Sequence, residues 1–124
     1  MKQNYRMIDV GSKDVTRRRA IAKGTIRVSP VTMQMIINGD SPKGNILSIA
    51  EVAGIMAAKN TSNLLPLCHP LILDAVRIWF DIADHEVHAY CEVICSAKTG
   101  VEMEALTGVN ICLLTIYDLA KAVD

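Results

Sequence analysis

Apolar and polar residues alternate in three stretches of this chain and recur at helical spacing in three others. From Ala20 to Ser29 the alternation predicts a strand, with Ile21, Lys23, Thr25 and Arg27 on one side and Ala22, Gly24, Ile26 and Val28 on the other. Val76, Ile78, Phe80 and Ile82 alternate with Arg77, Trp79 and Asp81. Val87, Ala89, Cys91, Val93 and Cys95 alternate with His88, Tyr90 and Glu92, and Asp84-His85 between the two runs marks a hairpin turn. Ser29-Pro30 predicts a helix start, with serine at the cap, proline at the first helical position and Gly39 at the end. Asn45 is placed to cap a second helix running to about Asn60, where Ala50, Ala53, Gly54, Ala57 and Ala58 let another element approach closely. The last helix, about Val101 to Val123, is apolar nearly all round, since Leu106, Val109, Ile111, Leu113, Leu114, Ile116 and Leu119 cannot all face one core. Burial on several sides, and hence neighbouring chains, is expected. The first nineteen residues are polar and are expected to be loosely held.

Composition narrows the class. At 124 residues the chain is one domain, 51% hydrophobic but only 4% aromatic, so aliphatic, Met and Ala side chains must build its interior. A domain this small has too much surface to hide that much apolar area alone, which again favours association. The 13 basic and 13 acidic residues cancel. That balance argues against broad nucleic-acid binding and leaves room for a local basic site. Met1 to Arg6 leads into no apolar leader, and the charge-free run Ala105–Tyr117 is shorter than a membrane span. Four cysteines without a scaffold-like spacing fit a reducing cytoplasm.

The chemistry concentrates in a few places. Leu64-Leu65-Pro66-Leu67-Cys68-His69-Pro70 sets an imidazole beside a thiol between two prolines, which bias Leu65 and His69 toward extended geometry. Such a stiff segment suits a reaction centre or a loop whose histidine is simply hydrogen-bonded. Lys43-Gly44 precedes a helix N-terminus, where an anion is favoured, although a solvated lysine looks the same in sequence. Arg17-Arg18-Arg19 with Lys13 and Lys23 forms a basic cluster, either a solvated face or a phosphate seat. Glu102 and Glu104 stand in a first helical turn, where acids are expected for dipole reasons alone. Asp118 and Lys121, three apart, share a helix face among apolar neighbours and are a surface ion pair or a functional one. Cys91, Cys95, His85 and His88 do not repeat a metal spacing, and adjacent Cys68 and His69 cannot easily pair as nucleophile and base. No metal and no cofactor are expected.

These segments together resemble the MoaC family of cyclic pyranopterin monophosphate synthases of molybdenum cofactor biosynthesis. The resemblance rests on Met7-Ile8-Asp9-Val10, Lys43-Gly44, Ala57-Ala58-Lys59-Asn60-Thr61, Leu65 to Pro70, Thr99 to Thr107 and Tyr117 to Ala122, in that order. It implies an α+β, ferredoxin-like subunit, an antiparallel sheet packed against helices, assembled as a homohexamer of three dimers with sites at subunit interfaces. It further implies conversion of 3′,8-cyclo-7,8-dihydro-GTP, a nucleotide-derived small molecule, to cyclic pyranopterin monophosphate with release of diphosphate. Leu67, Cys68, His69, Met103, Glu104 and Arg18 would bind substrate, and Asp118, Lys121, Lys43 and His69 would be catalytic. Family chains usually continue into a Gly- and Lys-rich tail that supplies another lysine, whereas this sequence ends at Asp124. Neither nucleic acid nor membrane is an expected partner.

One consequence follows from helix geometry alone. Glu104 and Asp118 on one helix stand about 21 Å apart at helical rise, so one small ligand cannot touch both from a single chain. Sharing of sites between subunits is the expectation. Two rivals compete with the enzyme on the residues alone: a nucleotide-binding regulator and an oligomerisation module without ligand.

Overall fold

The computed structural model describes residues 5–124. Three strands, β1 (Thr16–Arg27), β2 (Ala75–Ala83) and β3 (Glu86–Ala97), form an antiparallel sheet in the order β1-β3-β2. Helices α1 (Pro30–Asn38), α2 (Ile46–Lys59) and the short α3 (Thr61–Leu64) lie between β1 and β2, and α4 (Glu102–Ala120) follows β3. The chain is therefore α+β. Because β1 and β2 both run against the central β3, they run parallel to each other, and the connection through the helices is a split β-α-β unit.

Strand faces follow the alternation of the sequence. Ala22, Ile78, Val87, Ala89, Cys91, Val93 and Cys95 are buried and share one core with Ala50, Ala58, Ala105, Val109, Cys112 and Ile116 from the helices. One expectation needs correcting: β1 begins at Thr16, not Ala20, so Thr16 to Arg19 belong to the sheet, paired with Ile94 to Ala97. An edge strand tolerates such charged residues. Here Glu92 holds Arg19: only 4% exposed on the face away from the helices, it meets Arg19 Nη2 at 2.6 Å and Arg77 Nε at 3.1 Å. Beside it the rings of Trp79 and Tyr90 stack with centroids 5.3 Å apart.

Capping explains the first two helices. Ser29 Oγ accepts from Thr32 N, Pro30 opens α1, and Gly39 closes it at φ 70°. Asn45 accepts from Ser48 N at the start of α2. The α2 and α4 axes cross at two glycines: a Cβ on Gly54 would lie 2.9 Å from Gly108 O, and one on Gly108 would lie 2.6 Å from Cys91 Sγ. The small residues of α2 thus serve close approach, as their spacing predicts. The α4 helix is longer than its charge-free run, and by length and composition alone it could cross a bilayer. Its Ala105, Val109, Cys112 and Ile116 instead pack in the core. Its opposite side leaves Met103, Leu106, Leu114 and Tyr117 exposed, and α2 leaves Val52 and Met56 exposed.

Candidate active site

The segment after α3 takes the shape that its prolines dictate. Leu65, ahead of Pro66, is extended at φ −108°, ψ 110°, and Cys68 N donates back to Leu65 O at 3.2 Å. This turn leaves Leu67 half exposed and Cys68 and His69 half-buried. Opposite it stands the first turn of α4. There Met103 is exposed, while Glu104 is 3% exposed. The Cys68 thiol donates to Glu104 Oε2 at 3.6 Å, and Glu104 Oε1 is buried with no hydrogen-bond partner. Burial raises the Glu104 carboxyl above its ordinary value, and burial together with the Glu104 charge raises the Cys68 thiol.

These elements wall a cleft of about 770 Å³. One side is Leu65, Pro66, Leu67, Cys68, His69 and Leu71; another is Thr99, Gly100, Glu102 and Met103. The third side comes from the N-terminal segment, through Arg6, Ile8, Val10 and Lys13. Lys98 Nζ donates to Gly11 O at 3.2 Å and so ties this segment to the end of β3.

A second charged cluster lies at the other end of α4. Lys121 Nζ meets Asp118 Oδ1 at 3.1 Å, and both side chains are more than half exposed. The Lys121 hydrogen bond and charge hold the Asp118 carboxyl below its ordinary value, and Lys43 adds a weaker pull in the same direction. Lys43, from the loop before α2, is therefore near enough for its charge to reach Asp118.

The residues singled out from sequence thus fall into two groups within one chain. Leu67, Cys68, His69 and Met103 line the cleft with Glu104 buried against Cys68, whereas Asp118 and Lys121, within reach of the Lys43 charge, stand about 21 Å away along α4. Arg18 projects on the helix side of β1, where its Nε donates to Ala97 O at 3.4 Å, and its charge and that of Glu104 both reach Cys95. It does not line the cleft. Sequence reasoning missed Arg6, Ile8 and Val10. Their spacing of two was the available signal, since alternate residues of an extended segment face one way.

The family comparison decides the relationship. The sequence model of the MoaC family matches residues 7–124. The chain belongs to the MoaC family. A "Probable cyclic pyranopterin monophosphate synthase" of Thermococcus kodakarensis is 50% identical over 123 residues, covering 99% of this chain and 79% of its own length. A "Cyclic pyranopterin monophosphate synthase" of Novosphingobium aromaticivorans is 53% identical over 119 residues, covering 96% of this chain and 76% of its own. One of that name from Chloroflexus aggregans is 53% identical over 121 residues, covering 96% and 73%. In this MoaC chain the Leu-Cys-His-Pro turn and the start of α4 occupy the same cleft.

Proposed function

We propose that this chain is a cyclic pyranopterin monophosphate synthase, a lyase of molybdenum cofactor biosynthesis. It converts 3′,8-cyclo-7,8-dihydro-GTP to cyclic pyranopterin monophosphate and releases diphosphate. The observation that carries the reading is about 50% identity, along nearly the whole chain, to proteins of that name.

The chemistry suits the groups at hand. Rebuilding a purine-derived ring needs proton transfers to and from nitrogen and oxygen, and His69, Asp118 and Lys121 are our candidates for them. Closing the cyclic phosphate forms a bond from a ribose-derived hydroxyl to the innermost phosphorus and breaks the bond to the leaving diphosphate. The hydroxyl proton passes to a base, which the ionised Asp118 can supply, and Lys43 or Lys121 stabilises the developing charge. Leu67, Cys68, Met103 and Glu104 form the ring-binding side, with Arg18 behind them.

The separation of the two clusters supports a site assembled from two subunits, one lending the cleft and the other lending Lys43, Asp118 and Lys121. The apolar stripe of Met103, Leu106, Leu114 and Tyr117 supports an oligomer, which we take to be a hexamer of three dimers. The split β-α-β order supports a ferredoxin-like subunit. Four free cysteines support residence in the reducing cytoplasm. Incubation of the pure protein with 3′,8-cyclo-7,8-dihydro-GTP should release diphosphate in step with cyclic pyranopterin monophosphate. Ligand bound and returned unchanged would overturn the enzyme reading.

A further inference from the structure

We propose that Arg6 and Lys13 grip the phosphate chain of the substrate, so that the N-terminal segment is a working wall of the site. The inference deepens the synthase reading and rests on it for the identity of the ligand.

The argument starts from the shape of the segment. Residues 5–10 carry no helix or strand, and Arg6, Ile8 and Val10 all line the cleft, every second residue of an extended run. Gly11 N then donates to Asp9 Oδ1 at 2.8 Å and Lys13 N to Val10 O at 3.0 Å, a turn that brings Lys13 to the same cavity. The Lys98 bond to Gly11 O anchors that turn.

Charge completes the case. Among the described residues, Arg6 and Lys13 are the only lysine or arginine side chains on the lining, and neither is paired there with an acid. Ile8 and Val10 lie between them in sequence, facing a cavity that also has Leu65 and Met103 on its walls. An apolar slot with two unpaired cations on one side fits a planar ring carrying a polyanionic tail. Of the cations that the sequence offers for phosphate, Lys43 and Arg18 do not line this cavity and Lys13 does. Within one chain, only the N-terminal segment supplies fixed positive charge there.

The test uses the full-length protein with Arg6→Ala, Lys13→Ala, Lys13→Arg and, as a control for net charge, Lys59→Ala on the exposed end of α2. Each alanine at 6 or 13 should raise KM for 3′,8-cyclo-7,8-dihydro-GTP about tenfold or more, the effect of losing one charge-assisted contact, with a much smaller change in kcat. Affinity for inorganic triphosphate, measured by calorimetry, should fall in parallel. Lys13→Arg should keep most of both, and Lys59→Ala should match the parent. Unchanged KM and unchanged triphosphate affinity in both alanine variants would overturn the proposal. If the parent protein turns nothing over, the synthase reading fails, and the triphosphate titration still decides whether these two cations hold phosphate.

Discussion

Cys68 hands its thiol hydrogen to Glu104 Oε2 while the second oxygen of that carboxylate, Oε1, is buried without a partner. The two side chains come from the proline turn and from α4, thirty-six positions apart in sequence. Burial makes both groups harder to ionise; the Glu104 charge adds to this for Cys68, because a thiolate beside a carboxylate is repelled, whereas the hydrogen bond from Cys68 favours the Glu104 carboxylate and is outweighed by burial.

Stability should therefore depend on pH through Glu104. Its folded carboxyl is raised above the ordinary value, so its proton is held more tightly in the folded chain than in the unfolded one. The associated stability is fully present below the ordinary carboxyl range, and it is lost as pH rises through the raised value. Glu104→Gln should be more stable than the parent at pH 7, and the two denaturation curves should converge below about pH 4. Urea titrations at both pH values check this, and a gap that persists in acid would place its origin elsewhere.

The same pair sets thiol reactivity. Burial keeps Cys68 a poor nucleophile, and the Glu104 charge adds to that. Removing the charge by Glu104→Gln should speed alkylation of Cys68 by iodoacetamide at neutral pH severalfold. Cys91 and Cys112, pushed up to about 11 and about 12 by burial, should stay unreacted in the folded protein. Peptide mapping of the modified chain reads both outcomes.

The crossing of α2 and α4 should resist any added atom. Alanine is the better helix former by about 1 kcal/mol, yet a Cβ on Gly54 would lie 2.9 Å from a backbone oxygen and 3.1 Å from Cys112 Cβ. The backbone cannot yield cheaply, and overpacking of this kind costs about 1–3 kcal/mol. Gly54→Ala should lose up to about 2 kcal/mol overall by chemical denaturation, and a stabilised variant would mean that the helices separate freely.

Glu92 offers a test of coupling. Arg19 and Arg77 are each more than half exposed, so losing either alone should cost about 0.5–1 kcal/mol after screening by solvent. Losing both strands a buried carboxylate, so the double variant Arg19→Ala/Arg77→Ala should fall by more than the sum of the singles. Strict additivity would show that Glu92 is solvated by other means.

Sharing of sites predicts complementation. Asp118→Ala and Glu104→Ala should each be nearly inactive alone. Dissociated together and reassembled in equal amounts, they should recover about a quarter of parental activity if each site takes one half from each of two chains. Verified hybrids with no recovered activity would count against a composite site.

Much of this fold was legible before any coordinates. Ser29, Pro30 and Gly39 announce α1 because capping and φ constraints are local, and the strand faces follow from alternation because one side of the sheet is covered. The start of β1 was not legible. Four polar residues resemble a loose tail, and only their pairing across β3 and the ion pair with Glu92 make them a strand. The burial of Glu104 was hidden for a similar reason: an acid in a first helical turn looks ordinary until the proline turn closes over it. Helical rise alone was enough to foresee that Asp118 stands far from Glu104, whereas the N-terminal wall, with no regular structure of its own, left only a spacing of two to find it.

Among the described residues, nothing hydrogen-bonds along the outer margin of β1, a row 12 residues long. Such a margin invites stray polypeptides to zip on and grow into fibrils. Arg17, Arg19, Lys23 and Arg27 recur along it on the uncovered side of the sheet, so a second β1 laid alongside would bring like charges together. The basic run thus has a colloidal consequence: it disfavours the pairing of two copies of this chain along that open edge.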